Sequence, residues 1–409
     1  MNNHAVRQGG RAEVPAARRR LFSACLIAGL LVHLCGSAPA GPVDGSLDAL
    51  LGSVRSEHNL PALAAAVVRT EGMIAVGAGG VRRMGFNEPV TLEDRFHIGS
   101  CAKSMTATVC ASLVDQGRLS WQATIGDTFP DLRDELRAEF RGVTLEQLLA
   151  HRSGLACDRE PDRWLLLRLR LLTGTMPEQR RELMKIVFNG QPAAEPGSEF
   201  LYSNFGYTMA GAMAEQVSGE AWEQLLGHLL LEPLGITSAG FGAPGTPGTV
   251  DQPWGHRLVG ADWVPVSPGP LADNPAVISP AGCLHLTITD WAKYAVFHLR
   301  GARGDARLLK PATFKRLHSD AYAQGYALGW GLRDQPSLGG TVLTHAGSNG
   351  AWFALIRIAP QADLAVLIAT NAGGDAALKA CRAAADSMVN VFSPPQQLTG
   401  GAPARSGDR

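Results

Sequence analysis

The sequence predicts an α+β protein: an antiparallel β-sheet formed jointly by N- and C-terminal segments, flanked by helices, with a mainly helical lobe inserted between them. Three observations predict this. Strand-like runs occur early, around Leu63–Arg69 and Met73–Gly77. Helical signals dominate from about residue 118 to 300. β-rich runs then return at Thr341–Thr344, Trp352–Ile358 and Leu364–Ala369. At 409 residues and 45% hydrophobic content the chain can bury one large core, or two lobes sharing an interface.

The first segment reads as a leader rather than as part of the fold. Arg18, Arg19 and Arg20 form a basic patch, Leu21 to Leu34 is apolar, and Ala38-Pro39-Ala40 is a small-x-small cleavage pattern. These are the three regions of a secretory signal, so residues 1–40 are expected to be a signal peptide and the mature protein to be exported, periplasmic or secreted. The apolar run is short for a membrane span, and no stable span is expected after cleavage. The alternative is an uncleaved N-terminal anchor.

Within residues 41–393, Ser46 is placed to cap a helix whose apolar face is Leu47, Leu50, Leu51 and Val54. Glu71-Gly72 lies between the first two strand-like runs, which therefore read as a hairpin. After Ser100, Met105, Val109, Leu113 and Val114 repeat at helical spacing up to Gly117. Thr144 and Gln147 make a capping box before Leu148. Phe205–Val217, rich in small residues, suits a buried helix, and Trp222–Leu231 is amphipathic up to Pro233. A last helix is expected over Asp375–Phe392, and the polar, Pro- and Gly-rich stretch 394–409 reads as a disordered tail.

Composition excludes several classes of function. Formal net charge is zero, and loss of residues 1–40 would leave 32 basic and 36 acidic residues, so no nucleic-acid partner is implied. Five cysteines lie beyond the leader (Cys101, Cys110, Cys157, Cys283, Cys381) without paired spacing, which is not a disulfide framework. Neither C-x-x-C nor H-x-x-x-H occurs, so no structural zinc site is signalled.

Three short motifs carry chemistry. Lys103, one of only six lysines, stands three residues after Ser100, and positions i and i+3 share a helix face. A serine at a helix start sits at the positive end of the dipole, and a buried lysine gives up its proton readily and can act as a base. Alone, this spacing equally suits a serine cap followed by a surface lysine. Tyr202-Ser203-Asn204 follows Pro196-Gly197; in an extended loop Tyr202 and Asn204 point the same way. The phenol beside a lysine can shuttle a proton, and the amide can hold a substrate or fix the lysine. His345-Ala346-Gly347 ends a predicted strand, where a glycine lets a substrate backbone lie against the edge. The N–H of Ser348 and that of Ser100 can then form an oxyanion hole.

S-x-x-K and Y-x-N each occur once, and with H-x-G they stand in the order Ser100–Lys103, Tyr202–Asn204, His345–Gly347. In this the chain resembles the serine β-lactamase and penicillin-binding-protein superfamily, in the class C-like branch that also holds D-alanyl-D-alanine carboxypeptidases, D-aminopeptidases and esterases. Leu148-Leu149-Ala150-His151-Arg152-Ser153-Gly154-Leu155, Glu232-Pro233-Leu234-Gly235 and Leu328-Gly329-Trp330-Gly331 add to the resemblance, which spans roughly residues 44–393. It implies a β-lactamase/transpeptidase-like fold and a serine hydrolase forming an acyl-enzyme on Ser100. Lys103 and Tyr202 would manage the protons, and Asn204, His345, Gly347 and Ser348 would bind the substrate. No metal or organic cofactor is implied, and the substrate is expected to be a small ester, an amide or a D-peptide.

One departure matters. His345 stands where many β-lactamases carry lysine, and a neutral imidazole offers a hydrogen bond instead of a fixed charge for a substrate carboxylate. An esterase or D-amino-acid peptidase therefore fits better than a true β-lactamase. A non-catalytic cell-wall or peptide-binding module is the alternative of another class, which has no need of Ser100, Lys103 and Tyr202 together. His151 and Cys101 read as structural, Asp290 as a cap, and Trp352 as either a cleft wall or sheet packing. Trp164–Leu172 reads either as an amphipathic helix packed on the helical lobe or as an apolar lid or membrane-touching patch.

Overall fold

The computed structural model describes residues 45–156, 163–305 and 307–393; the expected leader, Cys157 and the 394–409 tail lie outside these. In chain order the strands are β1 (Gly45–Ser46), β2 (Ala62–Arg69), β3 (Gly72–Gly80), β4 (Arg95–His97), β5 (Gly240–Phe241), β6 (Gly255–Val259), β7 (Asp262–Val266), β8 (Leu284–Thr287), β9 (Gly331–Gln335), β10 (Gly340–Ser348), β11 (Phe353–Ala359) and β12 (Leu364–Thr370). The main sheet has seven strands in the order β1-β3-β2-β12-β11-β10-β9. All neighbours are antiparallel except the two-residue edge β1, which runs parallel to β3. The N- and C-terminal halves meet where β2 pairs with β12, Ala66 opposite Leu367.

Alternation along these central strands sorts side chains onto two faces. Leu63, Ala65 and Val67 of β2, with Leu364, Val366 and Ile368 of β12, join one core cluster with the helices Asp48–Glu57 and Gly374–Phe392. Ala62, Ala64, Ala66 and Val68, with Ala365, Leu367 and Ala369, face the other cluster, which holds the helices Ala102–Asp115 and Ile288–Ala302. β12 is buried along its whole length, so it reads as a continuous apolar run instead of an alternating one. The alanines of β2 leave room for helices to approach both faces.

Several expected elements form with shifted ends. Ser46 lies in β1, its hydroxyl accepts from the Asp48 N–H at 3.1 Å, and the first helix begins at Asp48. The Thr144–Gln147 capping box is present in both directions, at 3.2 and 2.9 Å. The stretch expected as one helix over Trp222–Leu231 is α-helical to Leu226 and continues as a π-helical turn from Gly227. Residues 118–300 also contain strands: the β6–β7 hairpin, and β8 paired with β4 and β5. Helix Ile288–Ala302 packs on the sheet through the alanine face of β2, because its apolar stripe (Trp291, Ala295, Leu299) faces the core. No helix among the described residues is long and apolar enough to cross a membrane.

Candidate active site

Strand β4 leads into a short 3-10 turn, Gly99–Cys101, and directly into the helix Ala102–Asp115. Ser100 thus stands on the turn and Lys103 one turn further on the same face. β10 crosses this turn closely enough to require two glycines. A Cβ on Gly347 would lie 2.0 Å from the Ile98 carbonyl oxygen and 2.6 Å from the Ser100 nitrogen; one on Gly99, which has a φ of +50°, would lie 2.4 Å from the Ser348 nitrogen. This crossing brings the amides of Ser100 and Ser348 to one place. Cys101 points away from the cleft; its Sγ contacts the His345 carbonyl at 3.5 Å, and burial pushes its thiol up, as expected of a packing residue.

The Lys103 side chain is fully buried. Its Nζ lies 2.9 Å from Ser100 Oγ, 2.6 Å from Asn204 Oδ1 and 2.7 Å from the Ala281 carbonyl oxygen. Two of these partners can only accept, so they take two N–H bonds, and the third position, toward Ser100, is open to either polarity. A neutral amine held in this way has its lone pair toward the serine proton. The Tyr202 ring centroid lies 4.9 Å from the same Nζ. Asn204 opens the buried helix Asn204–Ser218, capped by Ser203, whose hydroxyl accepts from the Gly206 N–H. Ala281 is presented by the turn Ser279–Gly282, which Thr106 ties to the helix after Ser100 through the Pro280 carbonyl at 2.6 Å.

Supporting residues set these groups in place. His151, with φ of +58°, accepts the Ser203 N–H at Nδ1 (3.0 Å), while its carbonyl accepts the Leu201 N–H. Its ring lies 4.2 Å from that of Tyr202 and 4.8 Å from that of Tyr326, so its role is to brace the Tyr202–Asn204 loop. His345 Nδ1 donates to the Ala346 carbonyl at 2.9 Å, and Nε2 lies 3.2 Å from the Tyr326 hydroxyl. Burial pushes the Tyr326 phenol well above 10, so it stays protonated. His345 thus faces the cleft with its ring held at both nitrogens.

Three participants were not singled out in the sequence. Tyr326 precedes the Leu328-Gly329-Trp330-Gly331 segment, and nothing in its spacing reports the bond to His345. The Ala281 carbonyl has no side-chain signature. His97 belongs to the other H-x-G; its Nδ1 accepts the Gly99 N–H at 3.1 Å, so Nε2 donates to Asp273 at 3.0 Å. Asn349 donates to the same carboxylate at 2.8 Å. Burial works to raise the Asp273 carboxyl, but His97 and the amide donors outweigh it and hold it below its usual range. The three side chains clamp the turn before Ser100 to the loop after Ser348.

The remaining candidates settle as structure. Asp290 does not cap its own helix: Thr287 does, and Asp290 accepts the backbone N–H groups of Thr237 and Ser238, both at 2.8 Å. Trp352 is fully buried over Gly255, so it packs and does not line the cleft. Helix Arg163–Arg170 places Leu166 and Leu169 on the cleft wall, while Trp164, Leu167 and Leu171 face solvent. The cleft itself, about 1260 Å³, is lined by Ser100, Tyr202, Asn204, His345 and Ser348.

Comparison with known proteins agrees with this geometry. Residues 47–387 match the family model described as Beta-lactamase. Penicillin-binding protein 4 of Amycolatopsis lactamdurans is 27% identical over 333 residues, covering 78% of this chain and 83% of its own length. Among solved structures, SurE with D-Leu aligns with a TM-score of 0.65 at 24% identity, covering 84% of this chain and 74% of that one. The D-alanine carboxypeptidase AmpC from Burkholderia cenocepacia aligns with a TM-score of 0.63 at 20% identity, covering 82% of this chain and 96% of its own. The α+β fold, the order of the motifs and a family match over most of the chain lead to one conclusion: the chain belongs to the beta-lactamase family and is a serine hydrolase of that family.

Proposed function

We propose that this hydrolase forms an acyl-enzyme on Ser100 and cleaves an amide or ester in a peptide-type substrate bearing a D-residue. The observation that carries the reading is the buried Lys103 amine, 2.9 Å from Ser100 Oγ and held by Asn204 and Ala281. As Ser100 Oγ bonds to the substrate carbonyl carbon, its proton passes to Lys103. The Ser100 and Ser348 amides hold the oxyanion. When the tetrahedral species collapses, the C–N or C–O bond breaks and the leaving group takes a proton relayed through Tyr202. Water then attacks the ester on Ser100 by the reverse route. Asn204 keeps the amine aimed, while Gly347 and His345 flank the bound substrate. A D-residue is supported by two similar proteins, one described with D-Leu and one as a D-alanine carboxypeptidase. His345, in place of a lysine with its fixed charge, makes a strict β-lactamase the weaker reading. The basic, apolar and small-residue pattern of residues 18–40 supports export as part of the same proposal.

The test is intact mass after exposure to a p-nitrophenyl ester, a D-alanyl-D-alanine peptide and benzylpenicillin, with Ser100→Ala alongside. A covalent adduct or turnover that the variant loses is expected with the peptide or the ester. Folded protein that turns over equally without the Ser100 hydroxyl would overturn the mechanism.

A further inference from the structure

The cleft does not end at Ser100. It turns around the end of β10 onto the opposite face of the sheet, between β9–β11 and the last helix, Gly374–Phe392. Pairing defines this second limb. Val342 faces Arg333 across β9, Thr344 faces Arg357 across β11, and Ala346 faces Leu355; cross-strand partners share a face. Its floor is apolar, with Val342, Leu355 and Phe353 all nearly buried. Leu378, Arg382 and Asp386, each four residues apart, form the facing stripe of the helix.

Charge in the cavity is confined to this limb: three arginines (Arg333, Arg357, Arg382) against one carboxylate, Asp386, which pairs with Arg357 at 2.5 Å. Among the described residues, Arg333 and Arg382 have neither an acidic partner nor a hydrogen-bond acceptor. Arg333 and Arg382 are solvent-exposed, and two uncompensated guanidiniums beside an apolar floor, continuous with the catalytic cleft, suit a carboxylate on an apolar stem. At the catalytic end of the cleft no lysine or arginine among the described residues lines the wall, and a carboxylate meets only His345.

We propose that this limb is the subsite for the anionic end of the substrate, so that the enzyme reads a carboxylate remote from the hydrolysed bond. From Ser348, whose amide would hold the oxyanion, to Val342 the strand spans six residues, about 20 Å at roughly 3.3 Å per residue. The ligand is therefore extended and amphipathic, with its acid some six residues' length from the reacting carbonyl. The kinetic side of this proposal rests on the hydrolase reading above; the binding side does not.

The kinetic test compares mono-p-nitrophenyl hexadecanedioate with its methyl-capped neutral counterpart. The expected result is a kcat/KM ratio favouring the acid. That preference should fall tenfold or more in Arg333→Gln/Arg382→Gln, while Arg257→Gln, an exposed arginine outside the cavity, retains it. The binding test titrates monomethyl hexadecanedioate into Ser100→Ala at low and high salt; binding should weaken with salt and be lost in the triple variant carrying the two arginine changes. Both esters cleaved with a ratio that the arginine variants leave unmoved would overturn the subsite. Salt- and arginine-dependent binding without turnover of either ester would instead overturn the hydrolase reading and leave the subsite standing.

Discussion

Lys103 Nζ lies 2.9 Å from Ser100 Oγ although the amine is sealed from solvent and the hydroxyl stands half-exposed at the cleft. In the proposed mechanism the base is thus kept dry while the nucleophile faces the cleft. Replacing the amine should remove proton transfer without unfolding the helix. In Lys103→Met, kcat/KM is expected to drop by about 10²–10⁴-fold, the usual worth of a positioned general base, with unchanged far-ultraviolet circular dichroism. Activity within a few-fold of wild type would remove Lys103 from the mechanism.

The crossing of β10 over the nucleophile's turn predicts an effect of a single methyl group. Gly347→Ala puts a carbon 2.0 Å from the Ile98 oxygen, so the strand must retreat and carry the Ser348 amide with it. A loss of kcat of about 10²–10³-fold is expected, similar to losing one oxyanion-hole donor. Steady-state kinetics with the preferred ester of the panel would show it, and retained kcat would mean that the Ser348 amide does not hold the oxyanion.

In the helical lobe, Arg180 is fully buried and bonded to Glu215, Glu223 and the Val277 carbonyl. Burial already raises the Glu215 carboxyl despite the guanidinium. Arg180→Leu would leave two carboxylates without their cation, and a destabilisation of about 3–5 kcal/mol is expected. Urea unfolding measures it; a shift in midpoint equivalent to less than about 1 kcal/mol would show that the lobe relaxes around the loss.

Acid sensitivity follows from three buried imidazoles. Burial depresses His256, His285 and His318, each to about 4, below the unfolded value of 6.5. Between pH 6.5 and about 4 the unfolded chain takes up protons that the native state refuses. Stability therefore falls as pH drops through this window, by about 1.4 kcal/mol per unit for each such group. Denaturant midpoints measured across the window test this, with a flat profile as the contrary outcome.

The pairing of Ser100 with Lys103 and the order of the motifs were legible in the residues alone. These rest on local rules: Ser100 and Lys103 share a helix face because i and i+3 do, the Thr144–Gln147 box caps its own helix, and strand alternation sorts β2 between two cores. The surroundings of the Lys103 amine came from long-range packing. The Ala281 carbonyl comes from 178 residues away, and a carbonyl leaves no trace in residue identity. The His97–Asp273 pair spans 176 residues, and Tyr326 reaches His345 through folding of the segment before β9. Likewise, Arg333 and Arg382 are exposed residues of a strand and a helix far apart in the chain, and only the packing of the last helix on the sheet sets them along one groove. Partners that meet through long-range packing have no fixed spacing, so nothing in the order of the residues announces them.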